Sequence, residues 1–130
     1  MSPTADARAL LVEWLAPLEA LDPPVRVIAH ARKIDPPSVP TVLVRYDRQR
    51  PAGSAAGARR VRLFTFAVLC VPAKREGPPG EDESLELLDD VLAVLETTQA
   101  TWEEAEQGTY EDTNHPAQAV TVTVPLKIGA

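Results

Sequence analysis

The hydrophobic positions of this 130-residue chain fall into two helical stripes and four strand-like runs, separated by polar or proline-rich segments. In residues 2–21, Leu11, Trp14, Leu15, Leu18 and Leu21 recur at three- and four-residue spacing, which predicts a helix with one apolar stripe. Ser2 is placed to cap it, with Pro3 in the first turn. Pro17 removes a backbone donor and crowds the turn before it, so the helix is expected to kink or split there. Asp22-Pro23-Pro24 ends it. Residues 84–102 carry the second stripe through Leu85, Leu88, Val91, Leu92 and Leu95. Glu81, Asp82, Glu83 and Glu86 are expected at its N-terminal end, where the helix dipole favours negative charge.

The strand-like runs differ in character. Residues 25–33 alternate imperfectly, with Val25, Val27, Ala29 and Ala31 opposing Arg26, Ile28, His30 and Arg32. Residues 41–48, "TVLVRYDR", set Val42, Val44 and Tyr46 on one face. Residues 60–71, "RVRLFTFAVLCV", form the most continuous apolar run, which predicts a central strand covered on both sides. With helices on only one of those sides, the other face would meet another subunit. In residues 118–128, Val120, Val122, Val124 and Leu126 alternate cleanly with polar positions that include Thr121 and Thr123. Segments 34–40, 72–83 and 103–117 read as connectors. The predicted order is α-β-β-β-α-β. An α+β, two-layer sandwich, with two main helices on one face of a largely antiparallel four-stranded sheet, buries every stripe. The length suits a single domain, residues 1–130.

Composition changes this picture in three places. Aromatic residues make up only 5%, so the core must be built from Val, Leu and Ala. The net charge of −6 argues against general nucleic-acid binding, which depends on cations placed against phosphates. That charge is unevenly spread. Arg45, Arg48, Arg50, Arg59, Arg60 and Arg62 form a basic block opposed only by Asp47, whereas most acids lie between Glu76 and Asp112. Such segregation suits a molecule that touches copies of itself head to tail. Finally, the lone Cys70 can form no internal disulfide, which fits a reducing compartment. The first residues lack the layout of a signal peptide, and no apolar stretch is long enough to span a membrane. The expectation is a soluble protein made in the cytoplasm.

No constellation for chemistry emerges. His30 and His115 fall in different elements without ligand-spaced partners, and one cysteine cannot supply a metal pair. The run "GSAAG" lacks the lysine and following helix of a phosphate loop, and Ser54 within it has no nearby base. Asp89–Asp90 and Glu103–Glu104 are adjacent residues that diverge on a helix, which predicts solvated surface rather than a dyad. The expectation is that the protein is not an enzyme and takes no cofactor or metal.

Taken whole, the layout resembles a bacteriophage tail terminator, from a long-tailed phage or a phage-derived injection device. The resemblance rests on the N-terminal "LLVEWL" stripe and the proline-introduced strand "PTVLVRY". It extends through a long polar excursion, the apolar strand "VRLFTFAVLCV" and the Leu-rich helix "SLELLDDVLAVLE". The polar loop "GTYED" and a terminal Val/Thr strand complete it. It covers nearly all of the chain but carries no invariant signature. It implies a structural virion protein, a homohexameric ring that caps the tail tube, ends its polymerisation and forms part of the head–tail joining interface. The implied partners are further copies of the chain, the tail tube protein and the head–tail connector protein, with the tape-measure protein as a further candidate. The implied location is the head-proximal end of the virion tail, after assembly in the host bacterial cytoplasm. DNA would pass through the pore without specific binding.

Within that reading, residues 47–60 are expected to form a flexible arm whose Arg48, Arg50, Arg59 and Arg60 meet an acidic surface on a neighbouring subunit or the tail tube. The alternative for the arm is a solvated loop. Two other functions fit the layout: another head–tail completion protein, or a dimeric α+β regulatory domain binding a small molecule against Thr121 and Thr123.

Overall fold

The computed structural model describes residues 2–29, 37–53, 60–73, 77–110 and 115–128. Its elements run α1 (Pro3–Leu15), a 3-10 helix (Ala16–Ala20), β1 (Arg26–Ile28), β2 (Thr41–Pro51), β3 (Val61–Val71), α2 (Gly77–Leu95), β4 (Thr101–Thr109) and β5 (Pro116–Lys127). The fold is mixed α+β, with a sheet in the order β1-β2-β3-β5-β4. Among the described residues, only the β1–β2 pairing is parallel. Among the described residues the sheet therefore has five strands rather than the expected four, and the order of elements is α-β-β-β-α-β-β.

The added strand is β4, in a segment expected to be the end of a helix and a polar connector. Every residue of β4 is exposed except Ala105, which is partly buried. It has no apolar alternation to reveal it; pairing to β5 along its length makes it a strand. Three other boundaries move. α2 starts at Gly77, not residue 84, and stops at Leu95, not residue 102. Gly77 has φ of 73°, a left-handed conformation open to glycine, and Pro78 and Pro79 follow in the first turn, where a missing N–H costs no helical hydrogen bond. Glu81, Asp82 and Glu83 thus lie beyond the first turn, which holds no acid. At the other end, Thr97 and Thr98 turn their hydroxyls back onto the carbonyls of Val94 and Leu95, at 2.7 and 2.6 Å, and occupy acceptors that the helix leaves open. β1 is three residues long rather than nine, and the expected strand residues 30–33 lie outside the described residues.

Pro17 acts as expected. The α-helix ends at Leu15 and the chain tightens into the 3-10 turn. Leu21 follows the 3-10 helix in extended conformation and is exposed, while Leu11, Leu15 and Leu18 are fully buried. Ser2 accepts the Ala5 N–H at 3.1 Å and caps α1. On α2, the buried stripe runs through Ser84, Leu87, Leu88, Val91 and Leu95. Leu85, expected on that face, is exposed.

The register separates two faces of the sheet. Val42 and Val44 of β2 align with Cys70 and Val68 of β3. Phe64, Phe66 and Val68 align in turn with Val124, Val122 and Val120 of β5. These residues share one core with Ala7, Leu11, Leu15 and Leu18 and with the buried stripe of α2. Both helices therefore cover the same face, as the two-layer arrangement expects, and among the described residues β3 has helices on that side alone. On the other face, Leu43, Val71, Ala117 and Tyr110 make a smaller cluster, with Ile28 and Leu69 packed against it.

Cys70 lies in the main core, and burial pushes its thiol up from 9.0 to about 12. The thiol is expected to resist alkylation at neutral pH until the chain unfolds, as read by mass spectrometry with and without denaturant. Because the folded pKa is raised, its stabilising contribution is complete below about pH 9 and is lost as pH rises towards 12. Cys70→Val should lack that part of the alkaline decline in urea-unfolding curves. Phe66→Ala, at a fully buried position, is expected to cost roughly 3–5 kcal/mol, measured the same way.

Candidate subunit-contact surface

The outer half of the β2–β3 hairpin carries most of the basic block. β2 is buried on both faces from Thr41 to Val44; beyond the bulge at Tyr46/Arg48, every residue to Gly53 is exposed. Arg48 and Arg50 stand on this outer half, opposite Thr65 and Leu63 of β3. Arg60 is exposed at the foot of β3 and its carbonyl accepts the Ile128 N–H. Arg59 and the tip at 54–59 lie outside the described residues. Residues 47–51, expected to open a flexible arm, are instead part of a paired strand.

A lattice of side chains on the helix-covered side holds that strand in place. Tyr46 meets the Phe66 ring edge-on, with centroids 6.0 Å apart. Gln49 donates from Nε2 to the Tyr46 hydroxyl at 3.0 Å and to Thr4 Oγ1 at 3.3 Å, which ties the hairpin to the start of α1. Arg62 donates to Gln49 Oε1 at 3.1 Å and lies 5.9 Å from the Phe64 ring centroid. Gln49 and Arg62 are thus used for bracing. Arg48 and Arg50 fall on the opposite side of the strand, facing outward. Arg48 pairs at 2.8 Å with its neighbour Asp47, an exposed pair that holds the two side chains weakly.

The acids lie elsewhere. α2 bears Glu81, Asp82, Glu83, Glu86, Asp89 and Asp90 with no lysine or arginine, and β4 bears Glu103, Glu104 and Glu106 with none. Asp89, Asp90, Glu103 and Glu104 are all exposed, as solvated surface. A cleft of about 260 Å³ between the 3-10 helix exit and α2 is lined in part by Asp22, Glu83, Glu86 and Asp90. Small-molecule pockets are usually larger and mostly apolar. No group of three or more His, Cys, Asp or Glu among the described residues is arranged to hold a metal ion.

The threonine face behaves differently from a pocket lining. Thr123 is buried and its Oγ1 lies 3.4 Å from Thr65 Oγ1, so the two hydroxyls satisfy each other within the sheet, while Thr121 is partly buried. His115 is buried, with Nε2 2.9 Å from the Pro72 carbonyl, so its ring ties the start of β5 to the end of β3. His30 lies outside the described residues. No helix among the described residues is long and apolar enough to cross a membrane.

What sequence reasoning missed is the acidic strand. Its signal, "TWEEAEQGT", was hidden because an exposed edge strand needs no apolar alternation. No protein-family model matches the chain, and a search of curated proteins found no match.

Gln49→Ala should remove the brace to Thr4, Tyr46 and Arg62 and cost about 1 kcal/mol, because these exposed hydrogen bonds exchange with water. Hydrogen exchange should quicken at 45–51 and stay unchanged in β5. A uniform increase through the sheet would contradict the local bracing.

Proposed function

We propose that this chain is the subunit of a ring that caps a phage-type tail tube, ends its polymerisation and contributes to the head–tail joint. The observation that carries this reading is the braced hairpin. Arg48 and Arg50 are displayed from an exposed, paired strand that side-chain hydrogen bonds tie to the start of α1. A cation row on a rigid strand orients a partner of opposite charge, and apart from Asp47 the acids of this chain lie outside that strand. A subunit with two unlike, complementary surfaces assembles head to tail and closes into a ring when the rotation permits. The tail tube protein and the head–tail connector are the partners that follow, with the ring at the head-proximal end of the tail.

Native mass measurement over a range of protein and salt concentrations, with electron-microscope averages of large species, tests the ring. A six-fold ring, alone or on tail-tube protein, is the expected result. A dimer at every concentration, stabilised by a small ligand, would overturn the reading in favour of a regulatory domain. Replacing Arg48, Arg50, Arg59 and Arg60 by Ser should leave the monomer folded, with melting changed by only a few degrees, while tail completion falls at least tenfold. Normal tail completion by that variant would exclude the basic arm as a contact.

A further inference from the structure

Among the described residues, the sheet ends in two strand edges with no strand beyond them. β1 pairs only with Thr41, Val42 and Leu43 of β2, so from Val44 to Pro51 β2 has β3 on one side and no strand on the other among the described residues. β4 has β5 on one side along Thr101–Thr109 and likewise no described strand beyond it. The Ala52 N–H points inward to the Val61 carbonyl, so two-residue alternation turns the backbone N–H and C=O of Gln49 out of the sheet. The Tyr110 N–H points inward to the His115 carbonyl, which turns the same groups of Gln107 and Thr109 outward.

Exposed edges invite pairing, and proteins commonly blunt them with bulges, proline and charge. Both edges here have a bulge, at Tyr46/Arg48 and at Trp102/Ala105, and both are charged. The signs are opposite. β2 carries Arg45, Arg48 and Arg50 against Asp47, and β4 carries only Glu103, Glu104 and Glu106. Pairing β2 with β2, or β4 with β4, would set like charges across a ladder; pairing β2 with β4 sets opposite ones. Each edge therefore rejects itself and accepts the other.

Face and direction agree with the charges. Arg48 and Arg50 register with Thr65 and Leu63, on the face away from the helices. Glu106 registers with Ala119 on that same face. Glu103 and Glu104 occupy the bulge between Trp102 and Ala105, opposite Thr121, which lies on the Arg48 face of the sheet. Successive antiparallel pairings β2–β3, β3–β5 and β5–β4 leave β4 running opposite to β2. A second copy placed beside the first in the same orientation thus offers β2 antiparallel to β4.

We propose that β4 of one copy pairs antiparallel with the outer half of β2 of the next, continuing the sheet from subunit to subunit. The contact is heterologous, so it builds rings or filaments rather than two-fold dimers. It rests on the ring reading for closure alone, and it names the acidic surface that the basic strand meets.

The test uses charge reversal in the full chain. Arg48→Glu with Arg50→Glu makes both edges acidic; Glu104→Arg with Glu106→Arg makes both basic. Each variant alone is expected to sediment as a monomer at concentrations where the unaltered chain associates, with affinity down at least a hundredfold. Their equimolar mixture, and the chain carrying all four changes, should associate again. Misfolding cannot mimic this pattern, since mixing does not refold a chain. As a second readout, Asp47→Cys and Gln107→Cys, both exposed, should be joined by a short bismaleimide when the two are mixed and not within either alone. Cys70 is buried and stays silent. Association that survives both reversals, or a mixture that stays monomeric, overturns the edge contact. A six-fold ring under those conditions would leave the ring reading standing without it. An unaltered chain that stays monomeric at every concentration and on tail-tube protein overturns both.

Discussion

One face of β3 carries the fold. Phe64, Phe66, Val68 and Cys70 are completely buried there, between β2 and β5 laterally and beneath both helices. Each such side chain contributes about 1.5–3 kcal/mol relative to exposure, so this column and its cross-strand valines supply the main force that assembles the sheet. The helices have no other place to put their stripes. With few aromatic residues available, the two phenylalanines stand at the centre and valine and leucine fill the remainder.

The same column fixes what the other side of the sheet can be. Because side chains alternate, burying Phe64 and Phe66 sends Leu63, Thr65 and Ala67 to the face that the helices do not cover. That face is apolar at one end, around Tyr110, and threonine-rich at its middle, where Thr65 and Thr123 satisfy each other. At its borders it turns charged, arginine on β2 and glutamate on β4. The sheet thus converts a difference in sequence position, basic before residue 63 and acidic after 75, into a difference between two opposite edges of one surface. Arg62 and Gln49 show how the arrangement is held: they alternate onto the helix side and tie the hairpin down, which leaves Arg48 and Arg50 exposed opposite them.

Much of the fold was legible in the residues, since burial imposes period. The stripe of α1, the break at Pro17, the central apolar run of β3 and the alternation of β5 each follow from patterns that a one-sided core requires. The cation row was visible as composition, and its placement on a paired strand was not. Errors fell where burial does not operate. β4 is exposed almost throughout, so backbone pairing alone makes it a strand. The ends of α2 depend on a left-handed glycine and on two threonine hydroxyls, local devices that leave the apolar stripe unchanged.

The sequence by itself therefore determined the α+β class, most of the residues that face the core and the separation of positive from negative charge. Hydrophobic period and charge order are properties of the chain before it folds. Only the tertiary structure decided which strands are neighbours, that a fifth strand closes the sheet, and that arginines and glutamates end on opposite edges of the same sheet. Those facts depend on contacts between residues far apart in the chain, and hydrogen bonds between backbones, which every residue but proline can donate, leave no mark in the pattern of side chains.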